Sequence, residues 1–363
     1  MKNNLLITKT SGVSQYERKK MPERDQIFDE PDRYEKAGWS PEKKPSPGKP
    51  GFIKKIIFTV IALFFINSPM VFSAEKKLTL MLDWFPNVDH LPIYVAKEMG
   101  YFAAEGLKIK IISPSETSDG LKLAASGNVD MSVSYEPQTI IAASRGIDVK
   151  VVGQLVNHPL TTLLFLDKKQ IQSPKDLIGK KIGYTVPGLM DLLLKAFAEI
   201  NGIDRYSPIN VGFTIVPSLV SNKVDAIMGP FKTYETVELS QRGYHPGFFE
   251  LEKYGIPDYE ELVFISGGKT LKEKPIAVKA FCSSVKLAVS FTKKNPAKAL
   301  EMYLKAVPEA DKKTESQAFD LTLPCYADRK NIDPAEWQKF ADFALKYKII
   351  ENHVDVNKLI HKW

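Results

Sequence analysis

From residue 77 onward, strand-like and helix-like patterns of apolar and polar residues alternate. "KLTLML" (77–82) reads as a strand, and "HLPIYVAKEMGYFAAEG" (90–106) carries apolar residues at helical spacing until Gly106 stops it. "LKIKII" (107–112) alternates strictly, as a half-buried strand does. "SDGLKLAASGN" (118–128) is a short helix with Ser118 or Asp119 as its N-cap, "VDMSVSY" (129–135) a strand, and "PQTIIAASRG" (137–146) a helix with proline in its first turn. "DVKVVGQLV" (148–156) and "TTLLFLD" (161–167) are strands. A second series follows: a short helix and strand in 173–186, a helix over 191–202, a strand "NVGFTIV" (210–216), a short helix and strand in 218–230, and a helix over 234–243. A strand returns in "YEELVFISGG" (259–268), and the remainder to residue 363 is mainly helical.

Repeated strand–helix alternation predicts an α/β protein with mostly parallel sheets covered by helices. Two such series predict two lobes with a cleft between them. Ligands of such sheets sit beyond the carboxyl ends of the strands. Residues just after strands therefore become the candidates for chemistry.

The N-terminal part has a different pattern. Residues 1–52 are rich in Lys, Glu, Asp and Pro, without apolar periodicity, and are expected to be disordered or to precede the true start of translation. Residues 53–74 have the parts of a secretory signal: Lys54 and Lys55, an apolar run from Ile56 to Ile66, a break at Asn67-Ser68-Pro69, and small residues with cleavage fitting after Ser73. The run is short for a membrane span, so a retained signal anchor is the weaker reading. No lipobox cysteine follows it. This predicts a periplasmic protein.

Charge changes the picture once. The chain carries +7, but residues 1–55 hold 13 basic and 8 acidic residues, so the part beyond the signal is almost balanced. A nucleic-acid-binding reading built on the overall charge therefore loses its support. The five histidines and two cysteines show no metal-ligand spacing, and neither a metal nor a cofactor is expected. Cys282 and Cys325 are open to pairing or to separate burial.

The strand ends carry aromatics, amides and carboxylates. In "DWFPNVDH" (83–90), Trp84 offers a flat face, Asn87 both donates and accepts, and His90 lies at a helix start. A packed Trp and an Asx-type turn is the plain alternative, but the cluster favours ligand binding. "SYEPQ" (134–138) puts Tyr135 and Glu136 after a nearly uncharged strand, and for Glu136 a cleft role and a helix-start role weigh equally. "GYTVPGLMD" (183–191) offers Thr185 and a turn at Gly188 with free N–H groups, and "GPFKTYE" (229–235) adds Tyr234 and Glu235. The glycine spacing fits neither a P-loop nor a dinucleotide fingerprint, and no G-x-S-x-G nucleophile occurs.

Taken together, "LDWFPNVDHLPIYVAKEMGYFAAEGLKI", "LAASGNVDMSVSYEPQTIIAASRG", "DLIGKKIGYTV" and "NKVDAIMG" resemble the solute-binding proteins of ABC transporters. The branch is that of thiamine-pyrimidine binders, to which the fungal pyrimidine synthases of thiamine biosynthesis are related. The resemblance implies a type II periplasmic binding protein fold: lobe 1 formed by 75–165 plus 261–363, lobe 2 by 166–260, joined by hinge strands. It implies a monomer that closes on a small pyrimidine and is read by a permease and its ATPase. Formylaminopyrimidine and hydroxymethylpyrimidine lead, with another flat heterocycle such as riboflavin as a rival. The enzymes of the branch imply a pyridoxal-phosphate lysine and a sacrificed histidine. Here Ser134 and Gln138 stand at those positions, and "YEELVFISGG" lacks the enzymes' cysteines, so a binder without catalytic residues is expected.

Overall fold

A computed structural model describes residues 76–329 and 331–363. The expected extension (1–52) and signal peptide (53–74) lie outside the described residues. Among the described residues, ten strands form two five-stranded sheets. They are β1 (Lys76–Met81), β2 (Leu107–Ile112), β3 (Met131–Ser134), β4 (Val149–Val156), β5 (Thr161–Leu166), β6 (Lys181–Tyr184), β7 (Ser207–Asn210), β8 (Ala226–Phe231), β9 (Pro246–Glu250) and β10 (Leu262–Gly267).

The sheets repeat one plan. The first has the order β2-β1-β3-β10-β4 and the second β7-β6-β8-β5-β9. In each, three strands run parallel, the fourth is antiparallel, and the fifth turns back to the direction of the first three. The antiparallel strand is the one that has just arrived from the other lobe. β5 enters the second sheet directly after β4, and β10 returns to the first. The expected boundary after residue 165 is thus displaced: both partners of β5 belong to the second sheet, so the chain crosses at Asn157–Leu160.

Helices cover the sheets because their apolar stripes need a partner surface. The 20-residue helix Pro275–Lys294 is apolar enough to cross a membrane by length and composition alone. Half of it is buried, however, and Phe281 stacks on Phe102 with ring centroids 5.3 Å apart. The buried giants Trp337, Tyr303, Tyr326 and Phe340 all come from the C-terminal helical part. That part also extends the first sheet's edge: Ile360 bridges Val151, and the Trp363 indole N–H donates to the Val152 carbonyl at 2.9 Å.

Two expected elements differ. "NVGFTIV" is not a strand. β7 ends at Asn210, whose Oδ1 accepts the Gly212 N–H at 3.0 Å, and Gly212 adopts φ 49°. This Asx-type turn ends the strand, and a helix begins at Ile215. Second, β9 fills a stretch ("PGFFE") in which proline and glycine hide the strand pattern.

The two crossings are tied together by carboxylates. Glu261 accepts the N–H groups of Leu160 (2.5 Å) and Thr161 (2.7 Å) and the Thr161 hydroxyl (2.8 Å). Glu136 Oε2 accepts the Glu260 N–H at 2.7 Å. Burial pushes the Glu260 and Glu261 carboxyls up to about 7 and raises Glu136 well above the usual range.

Candidate ligand cleft

A narrow cleft lies between the lobes at the carboxyl ends of β1, β3, β6 and β8. It is lined by Asp83, Trp84, Asn87 and Tyr135 from the first lobe, and by Thr185, Ile215, Gly229, Phe231, Tyr234 and Glu235 from the second. Its cavity volume is only about 20 Å³, so the lobes stand close together.

The first-lobe wall is wired internally. β1 runs apolar to its end and then delivers Asp83 into a buried position. One Asp83 oxygen accepts the Tyr135 hydroxyl at 2.8 Å, and the other is 2.8 Å from His90 Nε2. His90 Nδ1 faces the Asn87 backbone N–H at 3.4 Å, which makes Nδ1 the acceptor and Nε2 the donor to Asp83. Asn87 caps the turn Val88–His90 through its Oδ1, which accepts the Asp89 N–H at 2.9 Å. The Asn87 side-chain NH2 is left to face the cleft. Tyr135 is buried, and its hydroxyl is held strongly in the protonated form by burial and by the Asp83 charge.

The second-lobe wall begins with a close approach. Gly229 on β8 has φ 126°, and a Cβ there would meet Thr185 Oγ1 at 2.1 Å, so only glycine lets β6 and β8 end so near each other. The Tyr234–Glu235 pair follows β8. Glu235 is buried, and its Oε2 accepts the Phe231 N–H at 2.7 Å. Burial pushes its carboxyl up to about 7. The Tyr234 hydroxyl donates to Glu315 Oε1 at 2.8 Å, on the helix Lys312–Thr322. That helix packs against Val88–His90 of the first lobe. Tyr234 is therefore both a cleft wall and an inter-lobe tie. Burial raises Glu315 to about 7 as well.

Other ties cross between the lobes. The Thr117 hydroxyl donates to the Thr185 carbonyl at 2.9 Å. Trp84 meets Phe213 edge-on at 4.6 Å between centroids, and Phe85 lies 4.8 Å from the same ring. Phe213 reaches Trp84 because β7 stops early at the turn after Asn210.

Of the nine residues singled out in the sequence, six line the cleft: Trp84, Asn87, Tyr135, Thr185, Tyr234 and Glu235. Three stand elsewhere. His90 is fully buried behind the wall, with both ring nitrogens engaged. Glu136 faces the return crossing, where its carboxylate holds the Glu260 N–H. Gly188 turns with φ 81° and spends its N–H on Asp191 Oδ1 at 2.6 Å, which leaves no donor for an anion. Sequence reasoning missed Asp83, Phe213, Ile215, Gly229 and Glu315. Asp83 had a signal, a lone charge closing an apolar strand directly before Trp84. Glu315 had none, since its partner Tyr234 is 81 residues away.

Among the described residues, no Lys or Arg lines the cleft. Among the described residues, no cluster of His, Cys, Asp and Glu has the arrangement of a metal site. The lysine position implied by the enzymes of the branch is Ser134, fully buried and donating to Gln138 Oε1 at 2.9 Å. A hydroxyl there forms no Schiff base, so these residues do not fit a covalently held pyridoxal phosphate.

The comparisons with known proteins agree with this architecture. The family model described as NMT1/THI5 like matches residues 87–299. A putative thiamine biosynthesis protein of Haemophilus influenzae is 32% identical, covering 74% of this chain and 87% of that protein. A formylaminopyrimidine-binding protein of Halalkalibacterium halodurans is 34% identical, covering 71% of this chain and 80% of that protein. A 4-amino-5-hydroxymethyl-2-methylpyrimidine phosphate synthase of Legionella pneumophila is 27% identical, covering 79% and 91%. A Candida albicans gene product described as having the generic periplasmic binding protein fold superposes with a TM-score of 0.63 at 17% identity, covering 79% of this chain and 96% of that one. With two lobes of one strand order, a cleft at their strand ends and a family match over more than half its length, the chain belongs to the NMT1/THI5-like family and has the periplasmic binding protein fold.

Proposed function

We propose that the protein is an exported solute-binding protein that captures a small aminopyrimidine precursor of thiamine and passes it to an ABC permease and its ATPase. The observation that carries this reading is the composition of the cleft: flat aromatic walls, an amide and two carboxyls, and no basic side chain among the described residues. Trp84, Tyr135, Phe231 and Tyr234 suit the faces and edges of a planar ring, with stacking contributing about 0.5–1.5 kcal/mol per well-placed pair. Asn87 and Glu235 suit the ring's hydrogen-bonding edge. An anionic ligand such as a sulfonate would call for basic groups at these strand ends.

The narrowness of the cleft supports a cycle of opening and closing. A pyrimidine ring needs more room than the cleft offers, so the lobes part at the crossings to admit it. Formylaminopyrimidine and hydroxymethylpyrimidine are the leading ligands. The secretory pattern at 53–74 supports a periplasmic site of action for a monomer. Within this reading the protein is a binder rather than a synthase, which the buried Ser134–Gln138 pair supports.

Mass spectrometry of the ligand retained through mild purification tests the reading. A co-purifying aminopyrimidine is the expected result. A retained sulfonate, or pyrimidine phosphate formed on incubation with pyridoxal phosphate and iron, would refute it.

A further inference from the structure

The cleft collects carboxyl groups and gives them no cation. Asp83 and Glu235 line it. Asp89 and Glu315 stand directly behind, both buried and each with one oxygen that has no hydrogen-bond partner. Besides the backbone N–H groups that hold it, the side chains that bear on Glu235 are acidic: Glu238 on its own helix, Asp89 from the first lobe, and Glu315 through Tyr234. The basic side chains nearest in sequence are occupied elsewhere. Lys232 pairs with Glu250 and Glu252, and Arg242 with Glu238. His90, the imidazole of this region, is sealed between Asp83 and the Asn87 N–H.

A second buried full charge at Glu235 is expensive in such a place, and only backbone N–H groups, chiefly that of Phe231, offset it, with no cationic side chain beside it. Burial accordingly brings this carboxyl up to about 7. The amidine edge of a 4-aminopyrimidine presents a ring nitrogen acceptor beside an exocyclic amino donor. A neutral carboxylic acid matches that edge with its O–H and C=O. A carboxylate matches the ring-protonated form with two acceptors. The two states differ only by moving one proton along one hydrogen bond, so their proton count is the same.

We propose that the cleft binds its aminopyrimidine together with one proton, shared between the ring nitrogen and the Glu235 carboxyl. This rests on the reading of the ligand given above and goes beyond it by fixing the protonation of the complex. Glu235 thereby acts as the specificity-determining residue for bases. A flat ring of the same size without a basic nitrogen next to a donor has nothing to hold the proton, and is rejected.

Calorimetry of the full chain with 4-amino-5-hydroxymethyl-2-methylpyrimidine tests this at about pH 8, where the carboxyl is largely ionised before binding. Titrations in two buffers of different ionisation enthalpy should show uptake of close to one proton. Between about pH 7.5 and 9 the affinity should fall ~10-fold per pH unit, since one proton is taken up per ligand. In Glu235→Gln, whose amide keeps a donor beside an acceptor but does not titrate, the slope with pH should be lost, whereas Glu315→Gln should keep the slope. Binding without proton uptake, or a slope that survives Glu235→Gln or vanishes in Glu315→Gln, would overturn the proposal while leaving the pyrimidine-binding reading intact. Absence of pyrimidine binding to the unaltered protein at every pH would overturn both.

Discussion

The two lobes share a strand order, yet they build their halves of the cleft differently. The first-lobe wall is internally satisfied: Asp83 holds Tyr135 and His90, and Asn87 caps its own turn. The second-lobe wall reaches outward, with Tyr234 bound to Glu315 on a C-terminal helix that packs on the first lobe, and Thr185 receiving Thr117. The hydrogen bonds of the first wall close within its own lobe, whereas those of the second are completed across the cleft. The same topology therefore builds two kinds of wall, according to where each strand-end side chain finds its partner.

That comparison is broken most strongly by removing what faces the ligand. Glu235→Ala deletes a buried carboxyl from the second-lobe wall together with its one bond from the Phe231 N–H, and should weaken pyrimidine binding by about 1.5–3 kcal/mol, ~10- to 150-fold in Kd, with a stability loss of only about 1 kcal/mol. Trp84→Ala removes a ring wall together with its edge contact to Phe213, and a loss of at least ~2 kcal/mol in binding is expected by calorimetry. Asp83→Asn is the converse case. It leaves one acceptor oxygen where Asp83 had two and sets an NH2 against either the Tyr135 hydroxyl or the His90 Nε2–H, so thermal unfolding should show a stability loss of about 1–3 kcal/mol as well as weaker binding. If Asp83→Asn were as stable as the unaltered protein, the picture of a pre-wired first lobe would fail.

Tyr234→Phe keeps the ring and removes the tie to Glu315. Binding should weaken by about 0.5–1.5 kcal/mol, mainly through faster dissociation in stopped-flow traces. The smallest effect expected is on stability across pH. Glu235, Glu260, Glu261 and Glu315 are each raised from 4.5 to about 7. The folded protein thus binds more protons than the unfolded chain between those limits, and its stability is greatest below 4.5 for these groups and lost as pH rises through 7. Asp176, Asp225, Asp311 and Asp328 are lowered and act in the opposite sense, but only as the pH falls below their ordinary value of 3.8. The ligand-free melting temperature should therefore drop between about pH 5 and pH 8, by ~3 °C or more. A rise over that range would show that the hinge and cleft carboxyls are not held protonated.

Much of the fold was legible because local patterns and tertiary packing agree in it. The strict alternation of β2 is read correctly from sequence, and so is the helical spacing after His90, except that Gly100 at φ 71° splits that stretch into the helices Leu91–Glu98 and Tyr101–Ala104. β9 and the turn at Gly212 escaped, because proline, glycine and an Asx side chain decide them against the apolar pattern. The boundary between lobes was misplaced because β5 is a good strand wherever it pairs. Only its neighbours β8 and β9 show which sheet owns it. In the site, residues following a strand were found and their orientation was not. Glu136 and Glu235 read alike, each a buried acid opening a helix. One turns to the crossing and the other to the cleft, a difference set by the Glu260 and Phe231 N–H groups that hold them.

The central claim is that an aminopyrimidine sits between the two walls and is held by Glu235 of the second-lobe one. Parallel calorimetric titrations of the unaltered protein and Glu235→Ala with 4-amino-5-hydroxymethyl-2-methylpyrimidine test it most directly. The account predicts saturable one-to-one binding that falls at least ~10-fold in the variant, both proteins melting at closely similar temperatures. Equal affinities, or no binding to the unaltered protein, would contradict it.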